Sequence, residues 1–222
     1  MSAVEPKACP EPGGKEGRSR LRLGILLAAG AVAIGLAALL PRSGRRTAAP
    51  EAVQIAGLRQ VDDILARIGA TPFGRSERGR LLGETVRGFL RRGRLVFATD
   101  LQSQALYRRE AGDGFLYVRV LSLGGRLVHQ TREEIAEGLF HEAVHARDAS
   151  DESSAEEECD GFAAGLCAGA AVLGRSVPDL LTIEGRSVAE FVVREYPNLP
   201  RSGHYQPVGE DREWLFRRTG LR

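Results

Sequence analysis

The sequence predicts an α+β fold: a small, mostly antiparallel sheet followed by two helices packed on each other, with an N-terminal transmembrane helix ahead of the domain. Three observations predict it. Apolar residues recur at helical spacing from Glu51 to Ile68 and again beyond residue 131. Between residues 94 and 129 the pattern changes to short runs rich in β-branched and aromatic residues, broken by turn residues. Directly afterwards, two helix-start signals stand in close succession: Thr131 with Glu134, and Ser154 with Glu157.

Taken in order, residues 1–22 are rich in Pro, Gly and charge and have almost nothing to bury, so a disordered tail is expected. Residues 23–40, LGILLAAGAVAIGLAALL, carry no charge and as a helix would span about 27 Å, close to the hydrocarbon thickness of a bilayer. A cleaved signal peptide is the competing reading, but the run is longer than a usual signal core, and PRSGRR follows rather than a small-residue cleavage site. Basic residues lie more densely before the span (Lys7, Lys15, Arg18, Arg20, Arg22) than after it (Arg42, Arg45, Arg46), which favours an extracytoplasmic domain on a single-pass anchor. Residues 41–50 read as a linker and 51–222 as the soluble domain.

Within that domain, Val53, Ile55, Leu58, Val61, Ile64, Leu65 and Ile68 make one apolar helix face ended by Gly69, and a second helix is predicted over 76–92 despite Gly79, Gly83 and Gly88. Residues 94–99, 104–110 and 115–123 are expected as antiparallel strands, and RLVHQ, introduced by Gly124 and Gly125, as a fourth. The helix opened by Thr131 should run to about Asp148, and the one opened by Ser154 to about Leu173. The second carries Gly161, Gly165 and Gly169 at intervals of four, a ridge without side chains that permits close helix packing. A short helix over 187–195 precedes a Pro-punctuated tail.

Composition narrows the function. The 31 basic and 29 acidic residues nearly cancel, and the arginine clusters at 91–94 and 217–222 lack aromatic interleaving, so they read as solvated faces and nucleic acid is not an expected partner. Cys9 lies in the tail. Cys159 and Cys167, about 12 Å apart along one helix, cannot bridge each other and read as small packing residues.

The chain has four histidines, and two stand in LFHEAVHARD. On a helix, His141 and His145 share a face and can present both imidazoles to one metal ion, while Glu142 stands beside that face, where it can accept a proton from an attacking water. The bland reading, two histidines on a solvated surface, fits poorly, because Ile135, Leu139 and Val144 place the apolar side of the helix next to them. Catalytic zinc sites typically use three protein ligands. The third is expected from the acidic start of the next helix: Glu156 is the first choice and Glu157 the runner-up, with Asp160, four after Glu156, orienting a histidine from behind. His129 reads as a strand residue. His204 and Tyr205 are weaker candidates for stabilising an oxyanion.

HEAVH followed by Glu156, Asp160 and GFAAG resembles the gluzincin branch of the HExxH metallopeptidases, and the order of strands and helices over about residues 94–172 resembles that family's minimal zincin-like core. The resemblance implies Zn2+ held by His141, His145 and a glutamate, Glu142 as general base, a peptide or protein substrate, and substrate binding along the strand before the active-site helix, here RLVHQ. Charged residues around the motif (Arg132, Glu133, Glu134, Arg147, Asp148) place it outside the bilayer. The expected function is a membrane-anchored zinc metallopeptidase using a zinc-activated water. The alternative is a non-catalytic, membrane-tethered binding domain with a metal-stabilised core.

Overall fold

A computed structural model of the chain describes residues 46–110, 112–148 and 153–221. The expected tail, the apolar segment 23–40, the first half of the linker and Cys9 lie outside the described residues. No helix among the described residues is long and apolar enough to cross a membrane.

The fold mixes helix and sheet. Three helices come first: α1 (Glu51–Gly69), the single turn α2 (Pro72–Arg75) and α3 (Glu77–Arg91). Ser76 closes α2 and caps α3, its hydroxyl accepting from the Gly79 N–H. Strands β1 (Leu95–Ala98), β2 (Ala105–Glu110), β3 (Asp113–Leu123) and β4 (Arg126–His129) follow, then the long helices α4 (Arg132–His145) and α5 (Ala155–Val172). The short pair β5 (Thr182–Ile183) and β6 (Arg186–Ser187), α6 (Val188–Glu195) and α7 (Arg212–Thr219) complete the chain.

β3 is the hub of the sheet. It takes β2 and β4 as antiparallel neighbours and β1 as a parallel one, so the sheet is mostly antiparallel as expected while β1 departs from the antiparallel pairing expected of residues 94–99. The chain returns through β2 on the far side of β3, so β1 and β3 run the same way; Thr47–Ala49, expected as linker, pair with the end of β1, the Ala49 N–H bonding the Phe97 carbonyl at 2.8 Å. The β3–β4 hairpin turns through Gly124 and Gly125 at φ of 57° and 78°, the double left-handed conformation that a tight hairpin favours. β2 is an outer strand of the β1–β3–β2 order, and α4 packs beside it.

Thr131 and Glu134 form the expected capping box at the start of α4, and Ser154 caps α5 through the Glu157 N–H. α5 is buried along nearly its whole length. One side faces the core formed by α1, α3, the sheet and α4; the other side, including Cys159 and Cys167, faces a second cluster with α6 and α7. Helix α7 and the β5–β6 pair were not foreseen from the sequence.

The glycine ridge of α5 lies against α4. A Cβ at Gly161 would come within 3.0 Å of the His141 ring, one at Gly165 within 2.7 Å of the Glu137 carbonyl, and one at Gly169 within 2.7 Å of the Glu137 carboxylate. The backbones of α4 and α5 approach as closely as they do only because those positions lack side chains.

A second clamp fixes α5 from behind. Arg78 and Asp160 are both fully buried; Arg78 Nη2 lies 2.5 Å from Asp160 Oδ1 and also donates to the Asp160 carbonyl, while Nη1 donates to the Val208 carbonyl. The Tyr205 hydroxyl and the Val208 N–H donate to Asp160 Oδ2, and the Trp214 ring covers the guanidinium at 4.4 Å. Gly209, at φ 66°, passes so close to the Arg78 backbone that a side chain there would collide with it.

Two outcomes follow for stability, both measurable by urea denaturation. Gly165→Ala meets backbone and should cost about 1–3 kcal/mol, more than Gly169→Ala, which meets the mobile end of Glu137. Arg78→Met leaves Asp160 charged and buried and should cost about 3–5 kcal/mol, part of which Asp160→Asn in the same chain restores.

Candidate metal centre

His141 and His145, four apart on α4, both turn their Nε2 atoms to the same point, 3.0 Å from each other. Glu158, from the first turns of α5, completes the group: its Oε2 lies 3.4 Å from His141 Nε2 and its Oε1 3.5 Å from His145 Nε2. All three ligand atoms lie within 4.8 Å of one another, and this is the His/Cys/Asp/Glu group among the described residues with the spacing to hold a metal ion. A tetrahedral zinc with ligand distances of about 2.0–2.2 Å separates neighbouring donors by roughly 3.3–3.6 Å. The two Nε2 atoms, 3.0 Å apart, and the carboxylate oxygens, one 3.4 Å from His141 and the other 3.5 Å from His145, lie near that spacing, and two imidazoles with one carboxylate suit such an ion.

The third acidic position differs from the expectation. Glu156 turns away from the histidines and pairs with Arg212 of α7 at 2.6 Å. Burial pushes its carboxyl above the usual range, with Arg212 and Arg201 pulling the other way. Glu157 occupies the orienting position expected of Asp160: its Oε1 accepts from His145 Nδ1 at 2.6 Å, which leaves Nε2 to face the centre. Asp160 touches neither histidine and belongs to the Arg78 clamp. The reason is helical geometry. Glu156 and Asp160 do share a face, as their spacing predicts, but that face looks towards α7 and the C-terminal segment. Glu157 and Glu158, four and three residues before Gly161, share the face that meets α4.

The sequence did carry that signal. The ridge Gly161–Gly165–Gly169 marks which side of α5 approaches its partner, and counting back from Gly161 selects Glu157 and Glu158 over Glu156.

Electrostatics bind the group together. Burial works against a charge on His145, but the Glu157 hydrogen bond and the charges of Glu142, Glu158 and Glu157 outweigh it and raise the imidazole to about 9. Burial likewise opposes ionisation of Glu158, yet its hydrogen bond with His141 and the charges of both histidines hold it below the ordinary carboxylate range. Glu142 stands beside the group, its Oε2 accepting from the Tyr107 N–H of β2 at 2.7 Å, so the outer strand aims the carboxylate. Phe162 of α5 closes the other flank, meeting the His141 ring edge-on at 4.6 Å.

The remaining candidates lie elsewhere. His129 packs edge-on against Phe97 at 5.0 Å, a strand residue as expected. His204 is exposed on its loop, and the Tyr205 hydroxyl is buried on Asp160, so neither faces the centre. Tyr196, just past α6, was not singled out by the sequence; it joins the aromatic cluster around Phe162, which meets His141. Its ring lies 6.4 Å from Phe162.

No protein-family profile, curated protein or solved structure matches this chain.

One group in the helix seam makes the packing sensitive to pH. Burial, then the charges of Glu133 and Glu134, raise Glu137 to about 7 against an ordinary 4.5. Its folded form therefore holds a proton more tightly than its unfolded form, so the associated stability is complete below about pH 4.5 and lost as pH rises through 7. Glu137→Gln lacks that loss: its stability advantage over wild type should grow by about 1–3 kcal/mol between pH 4.5 and pH 8, read from paired denaturation curves.

Proposed function

We propose that this protein is a zinc metallopeptidase of minimal gluzincin type, tethered to a membrane by residues 23–40 with its domain on the extracytoplasmic side. The observation that carries the reading is the convergence of His141 Nε2, His145 Nε2 and the Glu158 carboxylate on one point, with Glu142 held next to it by the outer strand of the sheet. His141, His145 and Glu158 would hold the ion, and Glu157 would orient His145 as its outer partner. A bound zinc supplies Lewis acidity, which makes a water nucleophilic near neutral pH.

The chain's own groups do the rest. A peptide runs beside β2, the strand whose Tyr107 N–H holds Glu142, rather than beside β4, whose His129 packs on Phe97. As the water oxygen bonds to the scissile carbonyl carbon, the Glu142 carboxylate takes the water's proton. When the C–N bond breaks, Glu142 returns that proton to the departing nitrogen, so the base is regenerated and one water is consumed per bond.

Metal analysis and peptide hydrolysis test the assignment separately. Purified chain should carry one equivalent of zinc, lost in His141→Ala and Glu158→Ala and kept in Glu156→Ala; Glu157→Ala should weaken zinc by about 10–100-fold. Because the proton on His145 competes with the metal up to about pH 9, apparent zinc affinity should rise about tenfold per pH unit from 7 to 9. Glu142→Gln should keep its zinc and lose about 10²–10⁴ in kcat. Zinc with no hydrolysis in the wild type would assign the domain to metal-stabilised binding instead, and a wild type that takes up no transition metal rules the proposal out.

A further inference from the structure

The chain enters the fold beside β1, and its direction there fixes which end of the sheet looks towards residues 23–40. The Ala49 N–H bonds the Phe97 carbonyl, the Thr99 N–H bonds the Thr47 carbonyl at 3.0 Å, and Ala48 bridges Ala98 in antiparallel sense. Followed backwards from Ala49 to Arg46, the chain therefore runs with β1, and so with the parallel β3. β3 continues past Arg119, the partner of Ala98, and ends in the Gly124–Gly125 hairpin. The route back to the apolar segment and the hairpin tip thus leave the domain at the same end.

Their lengths bring the two together. Five steps carry β3 from Arg119 to Gly124, about 17 Å of strand. Eight steps separate Ala48 from Leu40, the last residue of the apolar run, a reach of at most about 28 Å. Only a linker pulled straight along the strand direction would hold the tip about 10 Å from the hydrocarbon edge, and headgroups occupy about 6 Å of that. Any slack seats the tip in the bilayer interface.

The side chains at the tip suit that place. Leu123, at 61%, is the most exposed of the large apolar side chains among the described residues. Leu116, Val118 and Val120 turn to the core, so the odd-numbered residues of β3 take the opposite face. Leu121 pairs with Val128 and Leu123 with Arg126, which puts all four on that outer face. Leu121 and Val128 are half-buried yet belong to none of the three apolar clusters. Arg126 is exposed beside Leu123, where its stem can lie along apolar surface while its guanidinium reaches phosphates. Arg42, Arg45 and Arg46 add basic charge on the approach to this end, and Asp100, also there, accepts from the Thr47 N–H.

We propose that the β3–β4 hairpin tip seats the domain on the membrane: Leu123, with Leu121 and Val128 behind it, enters the headgroup region of the bilayer that residues 23–40 cross, and Arg126 meets lipid phosphates. The proposal rests on the tether reading of residues 23–40 and not on the peptidase reading. Moving one leucine out of water favours the seated orientation by about 10–100-fold. Seating also sets where the metal centre works. Tyr107, which holds Glu142, pairs with Leu116, eight steps or about 27 Å before Gly124, so the centre stands about that far above the membrane surface. For a peptidase, the substrates are then segments that project to that height, and bonds beside the bilayer are out of reach.

Tip depth is read in the full chain reconstituted in phosphatidylcholine vesicles, with a nitrobenzoxadiazole label on Ser122→Cys in a Cys9→Ser background; Cys159 and Cys167 are buried. Phosphatidylcholine spin-labelled near its headgroup should quench that label at least about threefold more than the same label on Asp113→Cys, at the far end of β3. Leu123→Asp added to Ser122→Cys should bring quenching down to the Asp113 level, with circular dichroism unchanged and the chain still resistant to carbonate extraction. Equal quenching at the two ends of β3, or quenching at Ser122 that Leu123→Asp leaves intact, overturns the seated tip and keeps the tether. A tip blind to the lipid label that self-quenches as chain density rises belongs to a second copy, which also overturns the proposal. A chain stripped from the vesicles by carbonate overturns the tether and the seated tip together.

Discussion

Everything at the centre depends on how closely α4 and α5 approach. Three glycines on α5 lie against Glu137 and His141 of α4, and at each one a single added carbon would fall within 3.0 Å of its neighbour. Removing side chains from an internal helix costs about 1 kcal/mol per glycine relative to alanine. The return is a backbone separation short enough for the short reach of a glutamate on α5 to meet imidazoles on α4. The same contacts fix the register between the helices: Gly161 sits under His141 and Gly169 under Glu137, so the helices cannot slide by a turn without a collision. Ligand geometry follows from a packing rule.

The acidic run at the start of α5 shows how that register is turned into chemistry. Glu156, Glu157 and Glu158 are consecutive, so successive side chains point about 100° apart around the helix. Each meets a different partner: Arg212 for Glu156, His145 Nδ1 for Glu157, and the two Nε2 atoms for Glu158. Asp160, back on the Glu156 side, is neutralised by a buried arginine from α3. Four carboxylates can crowd into five residues because each has its own cation, hydrogen-bond donor or imidazole. The C-terminal segment is thereby part of the centre: Tyr205, Val208, Arg212 and Trp214 hold the outer face of α5 while the glycines hold the inner one.

Much of this was legible in the sequence, and what was not had identifiable causes. Helix α1, the Thr131–Glu134 capping box, the Ser154 cap, the four strands and the HEAVH helix rest on local chemistry, so periodicity and caps found them; the Glu157 side chain leaves the second box for His145. The parallel pairing of β1 depends on β2 returning along the far side of β3, and no pattern within β1 reports that. Helix α7 escaped notice because DREWLFRRTG has one aspartate cap and a charged exterior, with only Leu215 and Thr219 buried. Choosing Glu156 followed sound intrahelical reasoning, since it and Asp160 do share a face. It failed on the tertiary question of which face meets α4, which the glycine spacing answers and residue spacing among the acids does not.

The charges around the two histidines have a consequence of their own. Glu142, Glu157 and Glu158 bring three carboxylates to two imidazoles, and burial makes their mutual repulsion expensive unless positive charge sits between them. A proton on His145 supplies one unit, and the raised value of about 9 measures how strongly the carboxylates ask for it. A divalent cation on the same Nε2 lone pair supplies two, and it also accepts His141 and Glu158, which a single proton cannot bridge together. A purely structural pair of surface histidines would gain nothing from three neighbouring carboxylates and would be costly to desolvate. Glu142 sharpens the distinction, because it bonds neither imidazole and is held instead by the backbone of β2. Under the proposed reading, that hold by a main-chain N–H keeps the Glu142 carboxylate free to handle a proton rather than to balance a charge.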